Sequence, residues 1–234
     1  MKKAIFLSAI IFLLTISCKK SNKTSSPGNT TSTTGYYAIL STGRLQSVSS
    51  GTLSAPFNNC GAYFSNVPAT STNSATAVKV NSVSLNGTIF QYSSNNYNDT
   101  TFSISFPPST WIVNGASGIP TFTYTNNDPM PAFTGYGSLP DTIYRNQNTT
   151  LHITGITGAD LITVFVEDGT KGVTQGMPVT ASSVTFPTSS LSTLSATNYG
   201  TILVLLDKSN VQTIGGKSMN FIGAYQLNKT VVIK

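Results

Sequence analysis

Leu161-Ile162-Thr163-Val164-Phe165-Val166 and Ile202-Leu203-Val204-Leu205-Leu206 decide the fold. Both are short, rich in β-branched and aliphatic residues, and apolar at successive positions. That length and composition predict strands covered on both faces, in the middle of a sheet. Around them the apolar period is two. Phe102, Ile104 and Phe106 alternate with Ser103 and Ser105, one of the cleanest half-buried strand patterns in the chain. The same alternation marks Val78 and Val80, Val83 and Leu85, Phe90 and Tyr92, and Phe122 and Tyr124. Further on it marks Leu151 and Ile153, Val184 and Phe186, Tyr225 and Leu227, and Val231 and Ile233. Asn86-Gly87, Asp168-Gly169 and Gly215-Gly216 supply turn chemistry between strands. After the first seventeen residues no stretch of ten repeats apolar residues at helical spacing. The expectation is an all-β protein of antiparallel β-sandwich type.

Composition narrows the function classes. Ser, Thr and Asn make up about 37% of the 234 residues, and charged residues only 9%. Thr suits the solvent face of strands. A coiled coil needs charged heptads that are absent, and a Cys/His zinc module has too few ligands in two Cys and one His. The net charge of +6 suggests nucleic acid until its location is considered. Lys2, Lys3, Lys19, Lys20 and Lys23 carry five of the thirteen basic residues, all before the strands begin. From Tyr36 onward eight scattered basic residues meet seven acidic ones, so no phosphate-binding patch is expected.

The N-terminus is the most specific signal. Lys2 and Lys3 precede an apolar run, Ala4 to Ile16, too short to span a bilayer but suited to a secretory signal. It ends in Leu14-Thr15-Ile16-Ser17-Cys18, which resembles the lipobox of bacterial lipoproteins. The resemblance implies that residues 1–17 are removed and that Cys18 carries the lipid, palmitate among its acyl chains. Residues 18–35 then read as the lipidated Cys and a flexible tether, since Lys19 to Gly35 shows no apolar periodicity. The Cys-Lys-Lys-Ser opening is similar to lipoproteins of the Bacteroidota, but acidic residues associated there with surface export are missing. The implied address is the outer membrane, facing the periplasm more than the cell surface. The tether lysines are placed to meet anionic headgroups.

Pro129, Pro131 and Pro140 break the strand pattern, and a boundary is placed near residue 138. Residues 36–137 are expected to form an N-terminal β domain and residues 138–234 a C-terminal one with immunoglobulin-like strand spacing. Leu194 and Tyr199, just ahead of Ile202, are similar to the tyrosine corner of fibronectin type III and immunoglobulin domains. Trp111, Ile119-Pro120 and Pro129-Met130-Pro131 resemble a pattern in uncharacterised Bacteroidota lipoproteins, which implies no activity.

Candidate chemistry is sparse. His152 alternates with Leu151 and Ile153, so it is expected on a solvent face with no nucleophile elbow to serve. Glu167 and Asp168 are neighbours and point apart on a strand, unlike a glycosidase pair. Cys60 has no intramolecular partner once Cys18 is acylated and reads as a small buried hydrophobe. No catalytic residue, cofactor or metal site is assigned. Oxygen-rich Asn95 to Asp99 and Asn126 to Asp128 lack the spacing of a calcium loop. Tyr97, inside Ser93-Ser94-Asn95-Asn96-Tyr97-Asn98-Asp99-Thr100, is the candidate glycan-stacking ring, with Asn96 and Asn98 beside it. Trp111 alternates with Val113 and is expected in the core. Asp99-Thr100-Thr101 and Asp141-Thr142-Ile143 resemble the Bacteroidota O-glycosylation motif, implying Thr100 and Thr142 as acceptors. The expected function is non-catalytic structural or recognition work in the envelope. The alternatives are a carbohydrate-binding or adhesion module, and then a hydrolase with an unrecognised site. The expected partners are the membrane, through the anchor, and a glycan or envelope protein.

Overall fold

The computed structural model describes residues 35–69, 72, 75–99 and 101–234. The signal segment, Cys18, the tether to residue 34, and Thr100 lie outside the described residues. The chain enters on a long strand, β1 (Tyr36–Ser49), followed by the short β2 (Thr52–Leu53) and by β3 (Phe57–Ala69). Four short strands come next: β4 (Ser82–Leu85), β5 (Thr88–Ile89), β6 (Gln91–Ser93) and β7 (Asn96–Asn98). Then follow β8 (Ser109–Asn114), β9 (Phe122–Asn126) and β10 (Ala132–Phe133). The second half holds β11 (Thr142–Ile143), β12 (Thr149–His152), β13 (Ile156–Thr157), β14 (Leu161–Glu167), β15 (Gly172–Met177) and β16 (Ser183–Phe186). A one-turn helix, α1 (Thr188–Leu191), leads to the two longest strands, β17 (Thr197–Ile214) and β18 (Lys217–Ile233).

One ten-stranded sheet runs through the whole molecule in the order β15-β14-β17-β18-β1-β3-β7-β6, with β11 added to β18 and β2 to β1. Its spine is the β17–β18 hairpin. Gly215 and Gly216 close that hairpin with φ of +57° and +75°, the left-handed pair that a two-residue turn between twisted strands requires. β1 lies parallel to β18, from Ala38 opposite Met219 to Val48 opposite Lys229. Facing the sheet are a smaller sheet, β5-β4-β8-β9, and the pairs β12-β16 and β10-β13.

Period two places both cores on one face of the long sheet. On β18, Met219 and Phe221 enter the first core, and Tyr225, Leu227, Val231 and Ile233 enter the second. The first core closes against Val83, Leu85, Trp111, Val113 and Phe122 of the four-stranded sheet. Trp111 is fully buried, with its ring edge-to-face on Phe90 at 5.6 Å. The second core closes against Leu151, Val184, Phe186 and Leu191. In this half β12-β16 faces β15-β14-β17-β18, and β11 runs parallel to the end of β18. That is a β-sandwich with immunoglobulin-like pairing of its strands.

Several expectations need revision. Residues 36–137 and 138–234 each dominate one core, yet they share the sheet, because β1 is zipped between β18 and β3. Phe102 to Phe106 is not a strand. Phe102 has φ of +55°, and the carbonyls of Ile104 and Ser105 accept from the side-chain amides of Asn58 and Asn86 instead of a ladder. The alternation still reports burial, since Ile104 and Phe106 both reach the first core. Tyr199 forms no tyrosine corner: its ring is 82% exposed, while Leu194 is buried. Its place at that corner is taken by Arg145, whose Nη1 donates to the Leu194 carbonyl at 2.9 Å. The strands expected to be covered on both faces are β14 and β17. Ile162, Val164 and Val166 face the core, while Phe165, Leu203 and Leu205 form a separate buried cluster on the opposite face.

Candidate functional site

The Asn/Ser loop expected to offer Tyr97 to a sugar is a tight β6–β7 hairpin. Ser94 and Asn95 make its turn with φ of +50° and +66°, which flips Tyr97 inward. The Tyr97 ring is only 3% exposed, edge-on to Phe64 at 5.8 Å and tilted against Tyr92 at 4.9 Å. Its hydroxyl donates to the Val80 carbonyl, and burial raises its pKa. No stacking face remains, so Tyr97 is a core tyrosine and not a glycan platform. Asn96 turns back on its own hairpin, donating Nδ2 to Ser94 O at 3.1 Å. Asn98 faces the other side of the sheet, over Gly61. Thr142 sits half-buried in β11, paired with Val232, beside the fully buried Ile143.

His152 ends β12 opposite Ser183 and is exposed, as its alternation implies. Cys60 is buried at the floor of the first core. Burial, and then the Asp99 charge, push its thiol far above the ordinary range, so it is protonated and inert at neutral pH.

The carboxylates are distributed along the long sheet and mostly hold structure. Asp168 has a larger part than its turn. Its Oδ1 accepts from Thr170 N, Thr170 Oγ1 and Lys171 N, and its Oδ2 accepts from Ser195 N at 2.6 Å. Those backbone donors, Ser195 first, hold its carboxyl well below the usual range. Asp160 accepts from Ser209 N and sits 3.8 Å from Lys208 Nζ. Lys229 is buried among the aliphatic residues of β18, where Nζ meets the Leu139 carbonyl and Asp141 Oδ1. Glu167 and Asp207 are both raised by burial, Asp207 to about 6. They share the face away from the cores, but Asp207 lies opposite Leu161 and Glu167 opposite Thr201. Six ladder positions are about 20 Å. A glycosidase pair spans about 5–10 Å.

Between the two cores runs a polar seam. Thr42, Arg44 and Gln46 of β1 point inward there, between Leu40 and Val48. Tyr225 Oη donates to Gln46 Oε1 at 3.0 Å. Arg44 Nε, Asn58 Oδ1 and Asp99 Oδ2 are buried with no hydrogen-bond partner among the described residues. Buried atoms of this kind are ordinarily met by ordered water. A cleft at the same level, lined by Thr42, Ser109, Asp128, Met130, Lys208 and Gly223, has about 10 Å³ of accessible volume. That is the size of one water, not of a substrate.

The chain matches no protein-family model, no curated protein and no solved structure.

Sequence reasoning expected Tyr199 at a tyrosine corner and passed over Tyr144, yet both are exposed. Tyr199 (82%) and Tyr144 (43%) flank the last residues of β18, on β17 and just past β11 respectively. Gly200 and Ile143 take the inward positions next to them, which leaves both rings on the outward side. Neither ring is in a patterned stretch. Their exposure follows from the strand order.

Proposed function

We propose that the chain is a lipid-anchored envelope protein doing structural or recognition work without catalysis. The observation that carries this reading is Leu14-Thr15-Ile16-Ser17-Cys18 at the end of an apolar run. It is supported by the way the chain joins the fold. Tyr36 begins β1 at one end of the long sheet, so a tether from Cys18 reaches the folded part at a single end. Two acyl chains hold a protein stably on a membrane. The outer membrane, facing the periplasm, is the assigned address. The test is Cys18→Ala in the full chain. Wild-type protein should take up a palmitate probe and sediment with membranes, and the variant should do neither. A variant that stays labelled and membrane-bound refutes the anchor.

A carbohydrate-binding role is the second reading, and it moves from Tyr97 to Tyr144 and Tyr199. Two exposed rings on one end of a sheet suit stacking on sugar faces. Thermal unfolding with a panel of glycans tests it. A midpoint shift that Tyr144→Ala or Tyr199→Ala removes supports it, and no shift with any sugar refutes it.

A further inference from the structure

The long sheet has two unlike ends. At one end lie the start of β1, the Gly215–Gly216 turn, and the loop from Gly115 to Pro120. A Cβ on Gly215 would stand 3.0 Å from Pro120, and Ser117 Oγ donates to Lys79 O, so these segments form one surface. Tyr36, paired with Ala69, is where the chain enters it. Among the described residues the charged groups here are Lys79 and Lys217. Asp128, the nearest carboxylate along the ladder, is bonded to Asn210, opposite Phe221. That is four positions from Lys217, about 13 Å. Asp99, Asp160 and Asp207 lie mid-sheet, and Asp141, Glu167 and Asp168 lie at the opposite end. Both lysines rest on tyrosine rings, Lys217 Nζ 3.6 Å from the centroid of Tyr37 and Lys79 Nζ 5.2 Å from that of Tyr92. Val67, 45% exposed, adds an apolar side chain. Lysine with amphipathic tyrosine is the chemistry that settles at a membrane–water interface.

We propose that this end is a membrane-facing surface that seats on anionic lipid headgroups, with the Tyr144–Tyr199 end directed away. The proposal rests on the Cys18 anchor. Lys19 to Gly35, read from the sequence as a tether, does not by itself fix how the folded part is turned. Each net positive charge near an anionic surface favours contact about five-fold; the opposite end sets Arg145, Lys171, Lys229 and Lys234 against Asp141, Glu167 and Asp168, so the surplus of one charge biases the orientation about five-fold. The opposite end then stands about 56 Å further out, the length of β18.

The acylated full chain in vesicles tests this. Cys18 is blocked by lipid and Cys60 is buried, so an introduced cysteine is the thiol that takes a fluorophore. Probes go on exposed Thr213→Cys near the hairpin turn and exposed Asn198→Cys at the opposite end. Vesicles of phosphatidylcholine, with and without phosphatidylglycerol, carry a headgroup spin label as quencher. The expected result is strong quenching at position 213 with phosphatidylglycerol, and little at 198. Lys79→Glu with Lys217→Glu should abolish the difference while the chain stays vesicle-bound and its unfolding midpoint holds; Lys171→Glu with Lys234→Glu should not. Equal quenching at both positions, the same contrast on neutral vesicles, or indifference to the first pair of reversals overturns the proposal. If those reversals unfold the chain, Lys79→Ala with Lys217→Ala takes their place. A chain that takes up no palmitate refutes the anchor, not the surface. The unacylated protein then decides by pelleting with phosphatidylglycerol vesicles: binding lost on the Lys79 and Lys217 reversals upholds the surface, and binding indifferent to them sinks it.

Discussion

Replacing Asp207 by Asn should stabilise the protein at neutral pH and leave it unchanged in acid. Asp207 stands on the outward face of β17, opposite Leu161 on β14 and Ala224 on β18, with Leu205 two residues away. Burial among these groups pushes its pKa from 3.8 to about 6. The folded state therefore holds the proton more tightly than the unfolded chain. The stability this confers is complete below about pH 4 and is lost as pH rises through about 6. Two pKa units correspond to about 3 kcal/mol. Asp207 keeps partial solvent contact, and screening brings the expected gain from Asn to about 2 kcal/mol at pH 7. For a protein of this length that raises the midpoint by about 4–8 °C. Urea unfolding of both proteins across the acid and neutral range reads the difference directly, because every other titrating group is common to the two. The gap should open between about pH 4 and pH 6. A gap that is constant with pH, or wild-type protein more stable in alkali, would refute the argument that a desolvated carboxylate is responsible.

Removing the Tyr97 hydroxyl as Tyr97→Phe should cost about 1–3 kcal/mol, because the Val80 carbonyl loses its donor in a buried site; unchanged urea stability would contradict that bond. Asp168→Asn should lower the unfolding midpoint at neutral pH by loosening Ser195, and the deficit should vanish in strong acid, where the depressed carboxyl is finally protonated in both states. Trp111→Ala should cost about 3–5 kcal/mol and leave any membrane association intact. Cys60 should resist thiol reagents at neutral pH until denaturant is added, and rapid labelling of the native protein would contradict its burial.

Much of the architecture could be read from residues alone because burial leaves a period-two trace. Trp111 and Val113, Val184 and Phe186, and the two apolar runs all fall where their spacing puts them. The turns could be read for a separate reason: Asn86-Gly87 and Gly215-Gly216 adopt positive φ that few residues accept. β1 was missed. Its outward side carries Ile39 and Leu45, so Tyr36 to Ser49 shows no clean alternation. Its pairing with β18 depends on residues far along the chain, which local pattern does not encode. Phe102 to Phe106 misled in the opposite direction, since alternation reports which side chains are buried and not whether the backbone joins a ladder. Tyr97 was misplaced because composition calls Asn- and Ser-rich segments loops, whereas Ser94 and Asn95 make a turn so tight that the next ring points into the core. The turn at Asp168-Gly169 could be read from its residues, but the reach of Asp168 to Ser195 depends on a tertiary contact between two loops.

The shared sheet also constrains the order in which this protein can be built. Tyr225 and Gln46, hydrogen-bonded across the seam, are 179 positions apart. A chain that emerges N-terminus first presents β1 and β3 long before β18 is there to pair with them. The first core lacks Met219 and Phe221 until nearly the last residues arrive. Pairings so distant in sequence are slow to close. A truncation that removes only the seventeen-residue β18 therefore leaves both cores unfinished and opens two sheet edges at once, on β1 and on β17.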